Sequence, residues 1–163
     1  MSVTRAALLG WLPALCLLLA PSAQAAADFR REVVYQIVTD RFFDGDPSNN
    51  DPPQSAGLYD PARANWRLYW GGDLEGVRQK LDYLAGLGVT AVWISPPVDN
   101  INVATPSVEG AASAPYHGYA ARDFKRIEEH FGDSGNTWAA FDNLVAAAHG
   151  RGIKVVVDFA PNH

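Results

Sequence analysis

Three runs of apolar and β-branched residues occur along the chain, and each is followed by proline or polar residues. They cover residues 33–39, 89–95 and 153–159, and this pattern predicts three β-strands. Because the runs are almost continuously apolar and do not alternate with polar residues, we expect strands that are covered on both faces, as in a parallel sheet.

Two stretches between these runs carry apolar residues at helical spacing. The first follows Asp73, a good helix cap, and stops at Gly88, and its apolar positions are Leu74, Val77, Leu81, Leu84 and Leu87. The second follows Thr137, which we also expect to cap a helix, and its apolar positions are Phe141, Leu144, Val145 and Ala148. Strands and helices therefore alternate along the chain.

This alternation indicates an α/β fold with a parallel sheet. Right-handed crossovers place the C-terminal ends of the strands at one edge, so Asp44, Ser95 and Asp158 should lie on a common rim. A (β/α) barrel builds its active site there, and an open doubly wound sheet, the alternative fold, also binds ligands at that edge. A closed eight-stranded barrel takes about 250 residues. We therefore expect the N-terminal part of a TIM barrel, truncated after the third strand.

The first 25 residues have the pattern of a secretory signal peptide. Arg5 precedes an apolar run, residues 6–20, and Ala23-Gln24-Ala25 fits a cleavage site. The alternative, a membrane anchor, is disfavoured because the run is interrupted by Pro13 and is shorter than the ~20 residues that span a bilayer. We expect a signal peptide at 1–25 and a folded part at 26–163. The protein would be secreted, to the periplasm or the medium, with no membrane contact afterwards.

The composition narrows the class of partner. The chain is 48% hydrophobic and 19% charged, values typical of globular proteins, and its formal net charge is −5. An acidic chain has no electrostatic footprint for nucleic acid, which we therefore exclude as a partner.

Two stretches are rich in hard oxygen donors. "DGDPSNNDP" brings Asp44, Asp46, Asn49 and Asn50 into seven residues, as calcium requires, although an ordinary turn rich in Asx residues is the alternative. "YWGGDLEG" reads as a tight turn before a capped helix. Its glycine carbonyls and Asp73 could instead complete the same calcium shell.

Two further stretches combine rings with polar groups. "PYHGYAARDF" places Tyr116, His117 and Tyr119 in a loop on the expected rim, where rings can stack on sugars or simply pack the loop. "DFAPNH" ends a buried strand with Asp158, and a carboxylate there is costly unless it is functional, caps a turn or pairs locally.

Taken together, these stretches resemble the α-amylase family of glycoside hydrolases, and within it the cyclodextrin glucanotransferase and maltogenic amylase branch. "VVYQIVTDRF", "GGDLEGVRQKLDYLAGLGVTAVWISPPVDN", "YHGYAARDF" and "VVVDFAPNH" follow that family's order and spacing. The resemblance implies a (β/α)8 barrel, the glycoside hydrolase catalytic domain, of which residues 26–163 are the N-terminal portion. It also implies retaining cleavage of α-1,4-linked glucans such as starch.

The resemblance also assigns roles to individual residues. Tyr119 matches a tyrosine that stacks on the sugar at the cleavage point, His163 a histidine that hydrogen-bonds that sugar, Asp158 an aspartate that orients the hydrogen-bond network, and His117 a neighbouring pocket residue. A first calcium site would be formed by Asp44, Asp46, Asn49, Asn50, Gly71 and Asp73. Asn162 matches a ligand of a second calcium ion.

The same resemblance places the reacting groups elsewhere. Retaining glycosidases need two carboxyl groups about 5 Å apart, and in this family they follow the fourth and fifth strands. We therefore expect no catalytic residue in this chain, no activity of the chain alone, and a monomeric full-length enzyme.

Two positions differ from the glucanotransferase pattern, and both bear on the type of reaction. The glucanotransferases commonly carry a cysteine pair around the segment before the glycines, where this chain has Trp70, and an aromatic residue where it has Ala120. Both favour hydrolysis over the alternative, cyclodextrin-forming or other transglycosylation. A non-catalytic protein that binds carbohydrate or calcium is a further alternative. A nucleotide-binding open sheet is disfavoured because no glycine-rich phosphate loop follows the first strand.

Overall fold

The computed structural model describes residues 28–106, 110–133, 135 and 137–161. The predicted signal peptide, Asn162 and His163 lie outside this part of the chain. Within it, no helix combines the length and the apolar character needed to cross a bilayer. In chain order the elements are β1 (Val34–Ile37), α1 (Thr39–Phe42), α2 (Leu74–Gln79), α3 (Leu81–Gly86), β2 (Ala91–Ile94), β3 (Val98–Asn100), β4 (Thr105–Pro106), β5 (Ala112–Ser113), β6 (Ala121–Ile127), α4 (Ala139–His149) and β7 (Lys154–Val157).

The three predicted strands form one parallel sheet in the order β1-β2-β7. Ile94 of β2 pairs with Ile37 of β1 on one side and with Val157 of β7 on the other. All three strands therefore end at the same edge, as the alternation of strands and helices predicts. The first predicted strand is shorter than expected, because Thr39 already belongs to α1.

The first predicted helix is divided in two at Lys80, where the backbone (φ −94°, ψ 5°) departs from helical geometry. Asp73 caps α2 as predicted, since its carboxylate accepts a hydrogen bond from the Gly76 amide. Gly88 follows α3 with a φ of 81°, a conformation that glycine adopts readily. Thr137 accepts from the Ala139 amide at 3.3 Å, although the cap position of α4 itself is Trp138.

The core lies between one face of the sheet and helices α2 to α4. Val92 and Ile94 of β2 and Leu81, Leu84 and Leu144 of the helices are fully buried. The other face of the sheet is open among the described residues: Trp93 is 37% exposed and Val34 47% exposed. Trp93 pairs with Gln36 on this open face.

Two antiparallel pairs were not predicted, β3 with β6 and β4 with β5. Their sequences, such as "VDN" and "ARDFKRI", are too polar to show an apolar strand pattern. The β3–β6 pair lies directly after the C-terminal end of β2. It therefore holds the loop of residues 115–120 at the rim of the parallel sheet.

Candidate functional site

The rim of the sheet brings together three of the predicted sugar-binding residues. The Tyr119 hydroxyl donates a hydrogen bond to a carboxylate oxygen of Asp158, the first residue after β7. This bond, together with partial burial, raises the pKa of Tyr119 above its usual value, so the hydroxyl stays a donor. The His117 ring stacks on the Tyr119 ring at 5.7 Å between centres, and its Nδ1 accepts from the Tyr119 amide at 3.0 Å. His163 lies outside the described residues.

The loop can approach the sheet this closely because of Gly118. Its φ is 85°, and a Cβ atom there would lie 2.3 Å from the carbonyl oxygen of Pro96. Only glycine fits both conditions. Asp158 is fixed from the other side, since its amide donates to the Ile94 carbonyl at 3.1 Å. Ser95, the third predicted rim residue, holds the turn after β1, where its hydroxyl donates to Thr39 Oγ1 at 3.1 Å.

The loop after β1 gathers the residues predicted to bind calcium. Asn50 Nδ2 donates to Asp44 Oδ2 at 2.9 Å, and the Asp46 amide donates to Asp73 Oδ2 at 2.8 Å. Asn49 Nδ2 lies 3.5 Å from the same Asp73 oxygen. Five of the predicted ligands therefore occupy one place, although they are separated by up to 29 positions in sequence.

Three oxygen atoms in this loop are buried and have no hydrogen-bond donor among the residues that the structure describes: Asp44 Oδ1, Asn49 Oδ1 and Asn50 Oδ1. Gly71, the sixth predicted ligand, lies against one of them, since a Cβ there would be 2.5 Å from Asn50 Oδ1. A buried acceptor without a donor is costly unless a cation or water satisfies it. Oxygens of this type are the ligands that calcium prefers, so the residues fit a calcium ion.

Asp46 and Asp73 also accept hydrogen bonds from backbone amides. Asp46 Oδ1 accepts from the Ser48 amide at 3.0 Å, and Asp73 caps α2. Burial raises the pKa of Asp73 to about 6, despite the amides that donate to it. A nearby cation would favour the charged carboxylate and oppose this rise. Asn162 lies outside the described residues.

A second acidic group was missed by the sequence reasoning. Carboxylate oxygens of Asp99, Glu128 and Glu129 lie within 4.8 Å of one another, and all three residues are buried. Protein groups already engage them: Arg122 pairs with Asp99 at 2.8 Å, and Ser55 donates to Glu129 at 3.0 Å. The group therefore ties the β3–β6 pair to the loop of residues 50–55. The adjacent acidic pair in "IEEHF" was the only sequence signal.

Sequence reasoning also missed Asp40 and Arg41, which lie at the start of the loop after β1. Asp40 is 1% exposed and accepts from the Trp70 amide at 2.9 Å. The signal was present in "TDRF", where a charged pair follows an apolar strand directly. The side chains of this pair are held inside the fold by their partners.

The segment before the glycines is closed without cysteine. Arg63 Nε donates to the Trp70 carbonyl at 3.0 Å, and the Trp70 indole donates to the Asn65 carbonyl at 3.0 Å. Asp60 accepts from the amides of Ala64 and Asn65 at 2.8 and 2.7 Å. The loop around Trp70 lacks the expected cysteine pair and is held by hydrogen bonds instead.

Comparisons with known proteins show what this chain is similar to. Residues 36–163 match the family model described as "Alpha amylase, catalytic domain". A cyclomaltodextrin glucanotransferase from Niallia circulans is 51% identical over 137 residues, covering 83% of this chain and 18% of that protein. One from Thermoanaerobacterium thermosulfurigenes is 47% identical over 150 residues, covering 86% and 20%. The chain thus spans about a fifth of the length of these curated relatives.

Among solved structures, the chain is similar to CldA, a cyclomaltodextrin glucanotransferase with a three-domain ABC distribution. The TM-score is 0.74 and the identity 61%, over 81% of this chain and 26% of that one.

Proposed function

Because the chain belongs to the α-amylase catalytic-domain family, a family of TIM barrels, we propose that the protein is a retaining enzyme that acts on α-1,4-glucans such as starch. The observation that carries this proposal is the contact between Tyr119 and Asp158 at the rim of the parallel sheet. An aromatic ring beside a fixed carboxylate suits a sugar, whose C–H face packs on the ring while its hydroxyls bond to polar groups.

In this proposal each rim residue binds or orients substrate. Tyr119 stacks on the sugar at the cleavage point. His117 supports the Tyr119 ring by stacking on it. Asp158 orients the hydrogen-bond network, and His163 adds a hydrogen bond to the same sugar. None of them is proposed to be the nucleophile or the acid. Holding a substrate in one reactive geometry lowers the barrier even when the reacting groups lie elsewhere.

Two lines of support differ on the reaction type. Trp70 and Ala120 depart from the glucanotransferase pattern and favour hydrolysis. The curated relatives, cyclomaltodextrin glucanotransferases at 47–51% identity, favour transfer. The hydrogen bonds of Arg63 and Trp70 weaken the first line, because the loop is closed even without the cysteine pair. We therefore place glucanotransferase-like transfer first and hydrolysis second.

Product analysis tests both. The full-length gene product is incubated with soluble starch and the products are separated by chromatography. Cyclic α-1,4-glucans would establish transfer, and linear reducing oligosaccharides alone would establish hydrolysis. Neither product, from a protein that binds starch or calcium, would favour the non-catalytic alternative. Starch cleavage by the purified 163-residue chain alone would contradict our proposal that it holds no catalytic carboxylate.

We further propose that the loop after β1 binds calcium, which is common in this family. Asp44, Asn49 and Asn50 would supply the oxygens that now lack donors, with Gly71, Asp46 and Asp73 beside them. The ion would supply charge that neutralises these acids and fixes the loop. Asn162 would serve a second ion.

Export is proposed from residues 1–25 alone. The test is the N-terminal sequence of the protein recovered from culture medium and periplasm. A mature protein that begins at Ala26 supports export, whereas an intact Met1 on cytosolic protein contradicts it.

A further inference from the structure

We propose that Arg41 is a positioning residue for the sugar site, in that it fixes the loop that carries His117 and Tyr119. This inference rests on the proposed function for its kinetic consequence. The geometry behind it is independent of that function.

The Arg41 guanidinium contacts two aromatic rings at once. Its central carbon lies 3.8 Å from the centre of the Tyr116 ring and 4.1 Å from the centre of the Trp70 ring. A guanidinium plane stacks well on aromatic faces, and the attraction strengthens where water is excluded. The Arg41 side chain is only 18% exposed, so the two rings shield most of it.

The remaining groups of Arg41 fix its orientation. Nη2 donates to the Trp66 carbonyl at 2.7 Å, and Nη1 forms an ion pair with Asp40 Oδ2 at 3.0 Å that lacks hydrogen-bond geometry. Asp40 in turn accepts from the Trp70 amide at 2.9 Å and from the Gly71 amide at 3.2 Å. The guanidinium is therefore held by the β1 turn and by the segment before α2, and it offers a fixed surface to Tyr116.

From Tyr116 the contacts continue to the site without interruption. The Tyr116 and His117 rings meet edge to face at 5.4 Å, and the His117 and Tyr119 rings stack at 5.7 Å. The Tyr119 hydroxyl then contacts Asp158. Arg41 thus attaches the Tyr116 end of this row of rings to the turn after β1.

Lysine cannot replace arginine in this position. An ammonium group is a compact, strongly hydrated charge without a plane to stack between two rings. If Arg41 acts only as a cation for Asp40, lysine should serve. If it positions Tyr116, lysine should fail.

The experiment compares Arg41→Lys, Arg41→Met and wild type in the full-length gene product, with Arg151→Met as the matched control. Arg151 pairs with Asp82 on the exposed surface. Initial rates on a soluble α-1,4-glucan are measured well below the melting temperature of every variant. A fourth variant, Tyr116→Leu, breaks the row on the other side of the contact and leaves Arg41 and Asp40 in place.

We expect kcat/KM to fall about tenfold or more in both Arg41 variants and in Tyr116→Leu, and less than about twofold in Arg151→Met. Wild-type kinetics in Arg41→Lys, or in Tyr116→Leu, would overturn the inference. Should the Arg41 variants fail to fold, Tyr116→Leu alone decides.

Crystal structures of wild type and the Arg41→Met and Tyr116→Leu variants separate this inference from the proposed function. A wild-type protein inactive on α-glucans would refute the proposed function. The positioning role would then stand if Tyr119 leaves Asp158 in the variants. It would fall if the contact is unchanged.

Discussion

The Tyr119 hydroxyl and the Asp158 carboxylate are in contact, although the two residues lie 39 positions apart in sequence. One belongs to a loop held by the β3–β6 pair, and the other ends a strand of the parallel sheet. Their contact therefore fixes the relative position of two parts of the chain at the rim. Tyr119 can therefore contribute to substrate binding through its ring and through its hydroxyl, and mutation can test the two contributions separately.

Replacing Tyr119 with phenylalanine keeps the ring and removes the hydrogen bond to Asp158. A hydrogen bond to a charged group contributes about 1.5–3 kcal/mol, so we expect kcat/KM on soluble starch to fall about tenfold. Tyr119→Ala also removes the stacking surface and should lower kcat/KM about a hundredfold. Tyr83→Phe, an exposed tyrosine of α3, is the control. A Tyr119→Phe enzyme at the wild-type rate would contradict the role given to this contact.

Calcium removal should destabilise the protein. An ion present at about 100 times its dissociation constant adds about 2.7 kcal/mol to the free energy of unfolding. We therefore expect chelation to lower the melting temperature of the full-length protein by about 2 °C or more. Asp44→Asn, which removes one charge from the loop, should reduce this response. Asp82→Asn, at an exposed position, should not. An unchanged transition, with no metal found by elemental analysis, would remove the calcium proposal.

The buried acid Glu128 predicts a pH dependence of stability. Burial, followed by the charge of Glu129, raises the pKa of Glu128 from 4.5 to about 8. Between these values the folded protein keeps a proton that the unfolded chain has lost, so the free energy of unfolding falls as pH rises toward 8. Glu128→Gln is neutral at every pH. It should melt at a higher temperature than wild type at pH 8–9 and at a similar temperature near pH 5.

His130, which follows this acidic pair, acts at the other end of the pH range. Burial lowers the pKa of His130 to about 4, so the folded protein holds it neutral where the unfolded chain is protonated. Stability should therefore also fall as pH drops from 6.5 toward 4.

The control for the Glu128→Gln variant is Glu75→Gln on the surface of α2, because Glu75 pairs with Arg78 and its pKa is lowered. A Glu128→Gln protein with the wild-type slope between pH 6 and 9 would show that Glu128 is charged in the fold.

Two glycines of the first helical region should respond oppositely to alanine. A Cβ at Gly76 would lie 1.7 Å from the Phe43 carbonyl oxygen, so Gly76→Ala must push α2 away from the β1 loop. We expect a loss of about 3 kcal/mol or more in unfolding free energy. At Gly86 of α3 the space is empty, and alanine should stabilise by about 0.5–1 kcal/mol. Urea denaturation of both variants measures the difference, and equal stabilities would contradict the close approach of α2.

The parallel sheet could be predicted because its strands are runs of mainly apolar and β-branched residues, which leave a clear pattern in the sequence. The β3–β6 pair could not, since its residues Asp99 and Asp123 face each other across a bulged register and are polar. It is held by polar side-chain pairs between its two strands, such as Arg122 of β6 with Asp99 of β3. Sequence patterns contain no direct record of such long-range pairs.

The candidate site was predicted in its chemical groups but not in its supports. Tyr119, Asp158 and the Asx-rich loop stand out because rings, acids and amides cluster after predicted strands. Arg41 did not, because its role depends on Tyr116, which lies 75 positions away in sequence. The resemblance to a family suggested a role for each of these residues. The structure shows which other residues position their side chains.

The hydrogen bond from Arg63 to the Trp70 carbonyl has a practical consequence. The single cysteine of the sequence is Cys16, within the predicted signal peptide, so the folded region contains no thiol to oxidise. Folding of this loop thus needs neither an oxidising compartment nor a disulfide isomerase. Dithiothreitol should therefore leave the hydrogen bonds of this loop unchanged.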